Sequence, residues 1–199
     1  MKKWFSLALF LISAGLASGQ MPPMQMPKTV TWMEESSHKN ARGEISRTCS
    51  AISKSGSDWR SESTNQQADM VISICKDGKV FSSQSPAPSA SPGPVASVEG
   101  IYESLAKKAK FEMVDVYGGV GLSRFRETGA DGSVTVIWMD RTAGFPFRAT
   151  VTLPDGSVRE QTFKLVTVDP ALQRRLFDGN SLYPVFGHYL DDWHSRVSK

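Results

Sequence analysis

The chain has 199 residues, of which 40% are hydrophobic, and this is enough for one domain with a hydrophobic core. It carries 23 Lys and Arg against 20 Asp and Glu, a formal net charge of +3. So small an excess of positive charge gives no electrostatic basis for binding nucleic acid, and we exclude that class of partner.

The N-terminus has the pattern of a secretory signal peptide, residues 1–19. Two lysines precede an apolar run of thirteen residues, Trp4–Leu16, and small residues stand before a cleavage point at Gly19-Gln20. A membrane helix needs about 20 apolar residues, so this run is too short to remain as an anchor. Cleavage leaves 21 Lys and Arg against 20 Asp and Glu, a net charge of +1. No later run could span a bilayer, so the sequence predicts a soluble periplasmic protein.

Residues 20–28, QMPPMQMPK, predict a flexible leader, because Met-Pro and Pro-Pro pairs oppose a helix. Met21, Met24 and Met26 are thioethers, and soft sulfur suits Cu(I). A periplasmic copper-binding protein is therefore one hypothesis. The segment holds no His or Cys to complete such a site, so no metal is favoured and no cofactor is predicted.

Short strands follow, separated by turns, at 28–39, 44–53, 59–63, 70–75 and 80–83. Asp77-Gly78 is a strong two-residue hairpin signal. The segment 85–97, SPAPSASPGPVAS, is rich in Pro, Ser and Ala, and we predict a disordered loop within one domain at 29–199. An amphipathic helix is predicted at about 98–108, with Ile101 and Leu105 on its apolar face.

The second half predicts strands at 111–118, 120–127, 133–140, 147–153 and 158–168, and their short connections favour antiparallel neighbours. A turn of helix is predicted within 171–177, and an amphipathic helix at 185–197 that packs back on the sheet. In that helix His188, Asp191, Asp192 and His194 lack a known metal-ligand spacing and are interpreted as a solvated face. No enzyme signature is present, so the sequence predicts a non-enzyme.

Cys49 and Cys75 are the only cysteines, and an even count in an exported protein suggests a disulfide. In a simple meander, a third strand would separate them by roughly 9–10 Å, at about 4.8 Å per strand. A disulfide needs Cα atoms within about 7 Å. Both the bonded and the free state stay open at this point.

The segment 134–170, VTVIWMDRTAGFPFRATVTLPDGSVREQTFKLVTVDP, resembles the strand–turn–strand signature of LolA-like proteins, which include lipoprotein carriers and a domain of RseB-type regulators. The matching positions are Trp138, Asp140, Gly144, Phe145, Pro146, Arg148, Gly156 and Phe163. The resemblance extends loosely over residues 29–177. It implies a mainly β fold, a strongly curved antiparallel sheet or incomplete barrel, with the internal and C-terminal helices as covers in its concave face.

In the carriers that face holds lipoprotein acyl chains, so the resemblance implies binding of a lipid or acyl chain in envelope lipoprotein sorting or maintenance. Two departures from the carrier pattern are the proline-rich leader, where a carrier has its first helix, and the loop at 85–97. An envelope protein-interaction or stress-sensing domain is the alternative. The candidate ligand-binding residues are Trp138, Phe145, Phe147, Phe163, Leu105 and Arg60, with ordinary core packing as the other interpretation of the aromatics.

Overall fold

The computed structural model describes residues 24–89 and 95–197, without the side chains of 85–89. The predicted signal peptide and Met21 lie outside these residues. Eleven strands form one open, curved antiparallel sheet, which confirms the predicted mainly β class. The strands are β1 Thr29–Lys39, β2 Ile45–Ser55, β3 Asp58–Asn65, β4 Met70–Lys76, β5 Lys79–Ser82, β6 Ser85–Ser89, β7 Lys110–Tyr117, β8 Val120–Thr128, β9 Val134–Asp140, β10 Pro146–Thr152 and β11 Val158–Val168.

The sheet consists of two meanders joined edge to edge. Strands β1 to β6 follow one another, strands β7 to β11 follow one another, and β1 pairs with β11 in the centre. This order leaves β6 and β7 as the two edges. The helix α1, Val95–Lys107, connects one edge to the other and therefore crosses a face of the sheet. We call the face that packs against α1 the inner face.

The inner face carries the main hydrophobic core. Its buried members come from both meanders and from α1, and they are Val30, Trp32, Ile52, Trp59, Cys75, Val80, Val95, Val98, Ile101, Tyr102, Phe125, Ile137, Met139, Phe145, Ala149 and Phe163. Leu105, Met24 and Met26 pack against this core while remaining partly exposed. The last residues of the predicted leader thus lie against the domain.

The C-terminal helix α2, Gly187–Val197, packs on the opposite, outer face of the sheet. Leu190 and Trp193 form a cluster with Met33, Cys49 and Ala51. Because successive residues of a strand point to opposite faces, Trp32 faces inward and Met33 faces outward. The expectation that both helices cover the same face is therefore wrong, because α1 covers the inner face and α2 covers the outer face.

A buried ion pair on the outer face of β3 fixes the segment that leads into α2. Arg60 and Glu62 have fully buried side chains, and Arg60 Nε lies 2.8 Å from Glu62 Oε1. The Arg60 guanidinium also donates to the carbonyl oxygens of Ser181, at 2.8 Å, and of Tyr183. The Glu62 carboxylate accepts from the backbone N–H of Val185, at 2.9 Å, and of Phe186, at 2.8 Å. This pair orders residues 181–186 by binding their backbone.

A second outer contact involves the short 3₁₀ helix Arg174–Phe177, which falls within the predicted helical turn at 171–177. Phe177 packs with Ile72 and Ile74 of β4. The described part of the C-terminal segment after β11, residues 169–197, therefore runs over the outer face of β1 to β4. Among residues 24–89 and 95–197, no helix combines the length and apolar character needed to cross a bilayer.

Both ends of the predicted loop at 85–97 lie in regular elements. Residues 85–89 form β6, which pairs with β5, and α1 begins at Val95. Prolines are tolerated in β6 because it is an edge strand, where a missing N–H costs no ladder bond on the open side. Residues 90–94 lie outside the described residues. The predicted Asp77-Gly78 hairpin is present, with φ of 50° and 75° at its two residues.

The two cysteines are free, so the possible Cys49–Cys75 disulfide does not form. The full strand β3 separates them, with Cys49 paired to Thr64 on one side and Cys75 paired to Trp59 on the other. They also face opposite ways, Cys49 outward under α2 and Cys75 inward. Burial raises the pKa of the Cys49 thiol to about 12, which keeps it protonated at neutral pH.

Candidate functional site

An aromatic cluster occupies the middle of the inner face beneath α1. Phe145 is fully buried, and its ring centroid lies 5.4 Å from Trp32, 6.4 Å from Tyr102 and 6.0 Å from Phe163. These tilted and edge-to-face arrangements are the ones that aromatic pairs prefer. Trp32 and Phe163 come from the two central strands, Tyr102 comes from α1, and Phe145 comes from the turn before β10. The cluster therefore links the helix to both halves of the sheet.

Few polar contacts attach α1 to the sheet. The Tyr102 hydroxyl donates to the carbonyl oxygen of Gly144 at 2.7 Å. Ser104 Oγ donates to the carboxylate of Glu127, and Lys108 Nζ lies 3.7 Å from the same carboxylate. The residues that α1 buries against the sheet are Val95, Val98, Ile101 and Tyr102. Burial also raises the pKa of the Tyr102 phenol, which keeps it a hydrogen-bond donor.

Beyond the aromatic cluster the inner face becomes polar at Glu34. Glu34 lies directly opposite Phe163 on β11 and Ser50 on β2, and it is 7% exposed. Its Oε1 accepts from Ser36 Oγ at 2.8 Å and from Gln161 Nε2 at 2.9 Å. Its Oε2 is buried without a hydrogen-bond partner. A carboxyl group is thus held at the end of the apolar core.

Burial raises the pKa of Glu34 above its ordinary value of 4.5, and the bonds from Ser36 and Gln161 lower it by less. No charged side chain contributes to the shift. A carboxyl whose pKa is raised on folding favours the folded state only while it is protonated, below its unfolded pKa. That contribution is lost as the pH rises through the folded pKa.

We therefore expect Glu34→Gln to become more stable relative to the wild type as the pH rises from 4 to 8, because the amide carries no charge to desolvate. Urea unfolding of both proteins at several pH values measures this difference. Glu35→Gln, on the next residue but the outer face, is the matched control. The expectation would be contradicted if the free energy of unfolding of the wild type increased relative to that of Glu34→Gln as the pH rises.

The outer face of the sheet carries a groove between β7 and β11, which we call the outer groove. It has a volume of about 420 Å³. Its aromatic walls are Tyr117, Trp138 and Phe147, with the rings of Tyr117 and Phe147 5.4 Å apart. Arg148 lies over Trp138, 5.3 Å from the ring centroid, and its guanidinium is 2.7 Å from Glu160 Oε2. The groove therefore combines an aromatic surface with the ion pair of Arg148 and Glu160, whose opposite charges offset each other.

The edge strand β7 borders this groove and exposes apolar side chains on both faces. All eight of its residues are exposed. The apolar ones are Phe111 at 52%, Met113 at 44%, Val114 at 47%, Val116 at 69% and Tyr117 at 67%. An open edge strand presents unpaired backbone groups, and Lys110 together with a bulge between Phe111 and Met113 limits how a neighbouring chain can pair there.

The structure divides the predicted ligand residues between the two faces. Phe145, Phe163 and Leu105 meet on the inner face, whereas Trp138 and Phe147 line the outer groove. Arg60 binds Glu62 and the C-terminal backbone, so it serves neither site. Met24 and Met26 pack on the inner core, and His194 Nε2 lies 3.1 Å from the carbonyl oxygen of Gln66. Within the described residues, no three His, Cys, Asp or Glu side chains form a group that could hold a metal.

Sequence reasoning missed Trp32, Tyr102 and Glu34. The signal for Trp32 and Glu34 was their i, i+2 spacing with Val30 in β1, which places all three on one face of the strand. For Tyr102 it was the position next to Ile101 on the apolar side of the helix.

No family model matches the chain, and no curated protein matches it. Solved structures do. The structure of the Pseudomonas aeruginosa MucA/MucB complex matches with a TM-score of 0.48 and 14% identity, over 75% of this chain and 56% of that one. A LolA superfamily protein from Nitrosomonas europaea matches with 0.39 and 9%, over 77% and 92%. A putative outer membrane lipoprotein-sorting protein domain from Vibrio parahaemolyticus matches with 0.35 and 12%, over 77% and 90%.

The chain spans less than two thirds of the MucB chain in that complex. At these identities and TM-scores the likeness concerns the fold, and no ligand or partner follows from it. Two of these three matches, the LolA superfamily protein and the lipoprotein-sorting protein domain, carry names from the group that the sequence resembles.

Proposed function

We propose that this protein is a non-enzymatic binding protein of the cell envelope that holds the apolar chain of a lipid or lipoprotein between the inner face and α1. The observation that carries the proposal is the aromatic cluster under a single helix with few polar attachments. The signal peptide predicted from the sequence supports a location outside the cytoplasm, and lipoprotein sorting or maintenance is the role proposed there.

In this structure the chain's own aromatic side chains fill the space beneath α1, so α1 must move for an acyl chain to enter. Opening exposes the four buried residues of α1, at about 1.5–3 kcal/mol each. It also breaks the Tyr102–Gly144 hydrogen bond, at about 0.5–1.5 kcal/mol net. An acyl chain gains about 0.8 kcal/mol for each methylene buried, so roughly ten to fifteen methylenes offset the opening. Membrane acyl chains have this length.

Four of the five tryptophans lie among the described residues, two on each face of the sheet, and they make the proposal testable by fluorescence. Trp32 and Trp59 belong to the inner core, Trp138 lines the outer groove, and Trp193 of α2 packs on the outer face. We expect a fatty acid brominated near its terminal carbon to quench the wild type and Trp138→Phe alike. Trp32→Phe should lose about half of the quenching or more, because Trp32 lies at the centre of the cluster.

The same acid without bromine is the control for indirect effects. If quenching persists in Trp32→Phe and disappears in Trp138→Phe, the acyl chain binds in the outer groove and not beneath α1. Two results together would overturn the proposal. The first is that no variant shows quenching, and the second is that native mass spectrometry detects no lipid on the protein purified from its own cell envelope.

A second candidate is an envelope protein-interaction domain, favoured by the exposed apolar strand β7 beside the outer groove. An open strand can accept an extended peptide through backbone hydrogen bonds, and the neighbouring aromatic surface can receive its side chains. Site-specific photo-crosslinking from position 117, compared with the exposed Tyr183 near α2, distinguishes a partner at this edge from one elsewhere.

A further inference from the structure

The inner face changes from apolar to polar along β1, at one boundary. Val30 and Trp32 belong to the main core, and the next two inward residues are Glu34 and Ser36. Across the sheet from Glu34, Ser50 Oγ lies 2.8 Å from Ser63 Oγ, and Ser61 Oγ lies 3.1 Å from Ser63 Oγ. A row of hydroxyl groups on β1 to β3 therefore continues from the end of the aromatic cluster.

Two buried polar atoms at this boundary, Glu34 Oε2 and Trp32 Nε1, make no hydrogen bond of ordinary geometry with any of the described residues. The two residues are inward neighbours on one strand, and a weak, poorly aligned hydrogen bond from the Trp32 indole N–H lowers the pKa of Glu34. A buried polar group without a partner is costly, so a site that keeps one commonly uses it. Ser36, Ser50, Ser63 and Gln161 around it are only half-buried, which leaves the boundary accessible.

The cross-strand neighbours of Glu34 provide no positive charge. Facing it from β11 are Phe163 and Gln161, and facing it from β2 is Ser50. Lys164, next to Phe163 in sequence, points to the outer face, where its Nζ lies 2.7 Å from Glu35 Oε2. A buried carboxylate in these surroundings is stabilised most by a positively charged group that belongs to a bound ligand.

Resting on the proposed function, we propose that the polar boundary around Glu34 receives the head group of the bound amphiphile, and that this head group carries an ammonium. The apolar chain lies along the aromatic cluster under α1. The ammonium donates to Glu34 Oε2 and to the neighbouring serine hydroxyls. An ammonium has three donors, and these groups supply acceptors at one point of an otherwise apolar surface.

Three probes with the same twelve-carbon chain test the head group: dodecylammonium and dodecanoate, each below its critical micelle concentration, and dodecanol below its solubility limit. At pH 8 we expect the wild type to bind dodecylammonium at least tenfold more tightly than dodecanol, and dodecanoate least tightly. Glu34→Gln should lose that tenfold preference and keep its affinity for dodecanol within about threefold, because the chain site is unchanged. Displacement of the brominated acid, followed by tryptophan fluorescence, gives the dissociation constants.

Glu35→Gln, on the outer face of the same strand, should retain the preference and serves as the control. A second readout needs no variant: the wild-type preference for dodecylammonium over dodecanol should shrink as the pH falls and Glu34 takes up a proton. Equal binding of the amine and the alcohol by the wild type would overturn the head-group proposal and leave the acyl-chain proposal standing. No binding of any probe would overturn both.

Discussion

We expect Glu62→Ala to lower the free energy of unfolding by about 3–5 kcal/mol, a large part of the roughly 5–15 kcal/mol that stabilises a domain of this size. The substitution leaves the Arg60 guanidinium buried without its anionic partner. It also removes the acceptor for the N–H groups of Val185 and Phe186, so the entry to α2 loses its attachment. Urea unfolding followed by circular dichroism measures the change.

The matched control is Glu103→Ala, which removes an ion pair of similar distance, 2.6 Å to Lys107, on the exposed side of α1. Solvent screening leaves an exposed ion pair with little effect on stability, so this variant should stay near the wild type. Limited proteolysis adds a local readout, since Glu62→Ala should expose residues 176–186 to cleavage. Equal stability of the two variants would show that the buried pair does not anchor the C-terminal segment.

Local patterns in the sequence were sufficient for the strands and their order. Alternating apolar residues and turn signals such as Asp77-Gly78 place ten of the eleven described strands within a few residues of their observed bounds, whereas β6 lies in the segment predicted as a loop. Short connections imply antiparallel neighbours, and this yields both meanders. The pairing of β1 with β11 joins residues about 130 positions apart, and its bulge between Thr31 and Met33 has no local signal.

Assignment of side chains to faces failed where a bulge interrupts the alternation. Strict alternation in the predicted strand 147–153 would place Phe147 and Ala149 on one face, but the register of β10 shifts between Pro146 and Arg148. This shift turns Phe147 outward into the groove with Trp138, while Ala149 remains in the inner core. The predicted aromatic set therefore contains members of two separate surfaces.

The position of α2 could not be read from its own pattern, because an amphipathic helix fits either face of a sheet. The information lay in β1 and β2, where Trp32 and Met33, or Ala51 and Ile52, are adjacent apolar residues. Apolar neighbours on one strand indicate cover on both faces. Glu34 was missed for a different reason: a single glutamate in a strand is usually exposed, and only the three-dimensional pairing with β11 buries it.

Phe145→Ala should lower the free energy of unfolding by about 3–5 kcal/mol, the usual range when a buried phenylalanine is truncated. Phe145 is fully buried and contacts rings from β1, α1 and β11, so the surrounding structure cannot easily collapse into the space. If acyl chains enter beneath α1, the same truncation supplies room for them. We expect the brominated acid to bind Phe145→Ala more tightly than the wild type and to quench Trp32 more fully.

Phe111→Ala on the edge strand β7 is the control, since the side chain is 52% exposed and its loss should cost less than about 1 kcal/mol. Its affinity for the acid should equal that of the wild type. A Phe145→Ala protein that is destabilised but binds no better would mean that the aromatic cluster serves only to attach α1 to the sheet. In that case the apolar ligand site must be sought in the outer groove, where Trp138 provides the matching fluorescence signal.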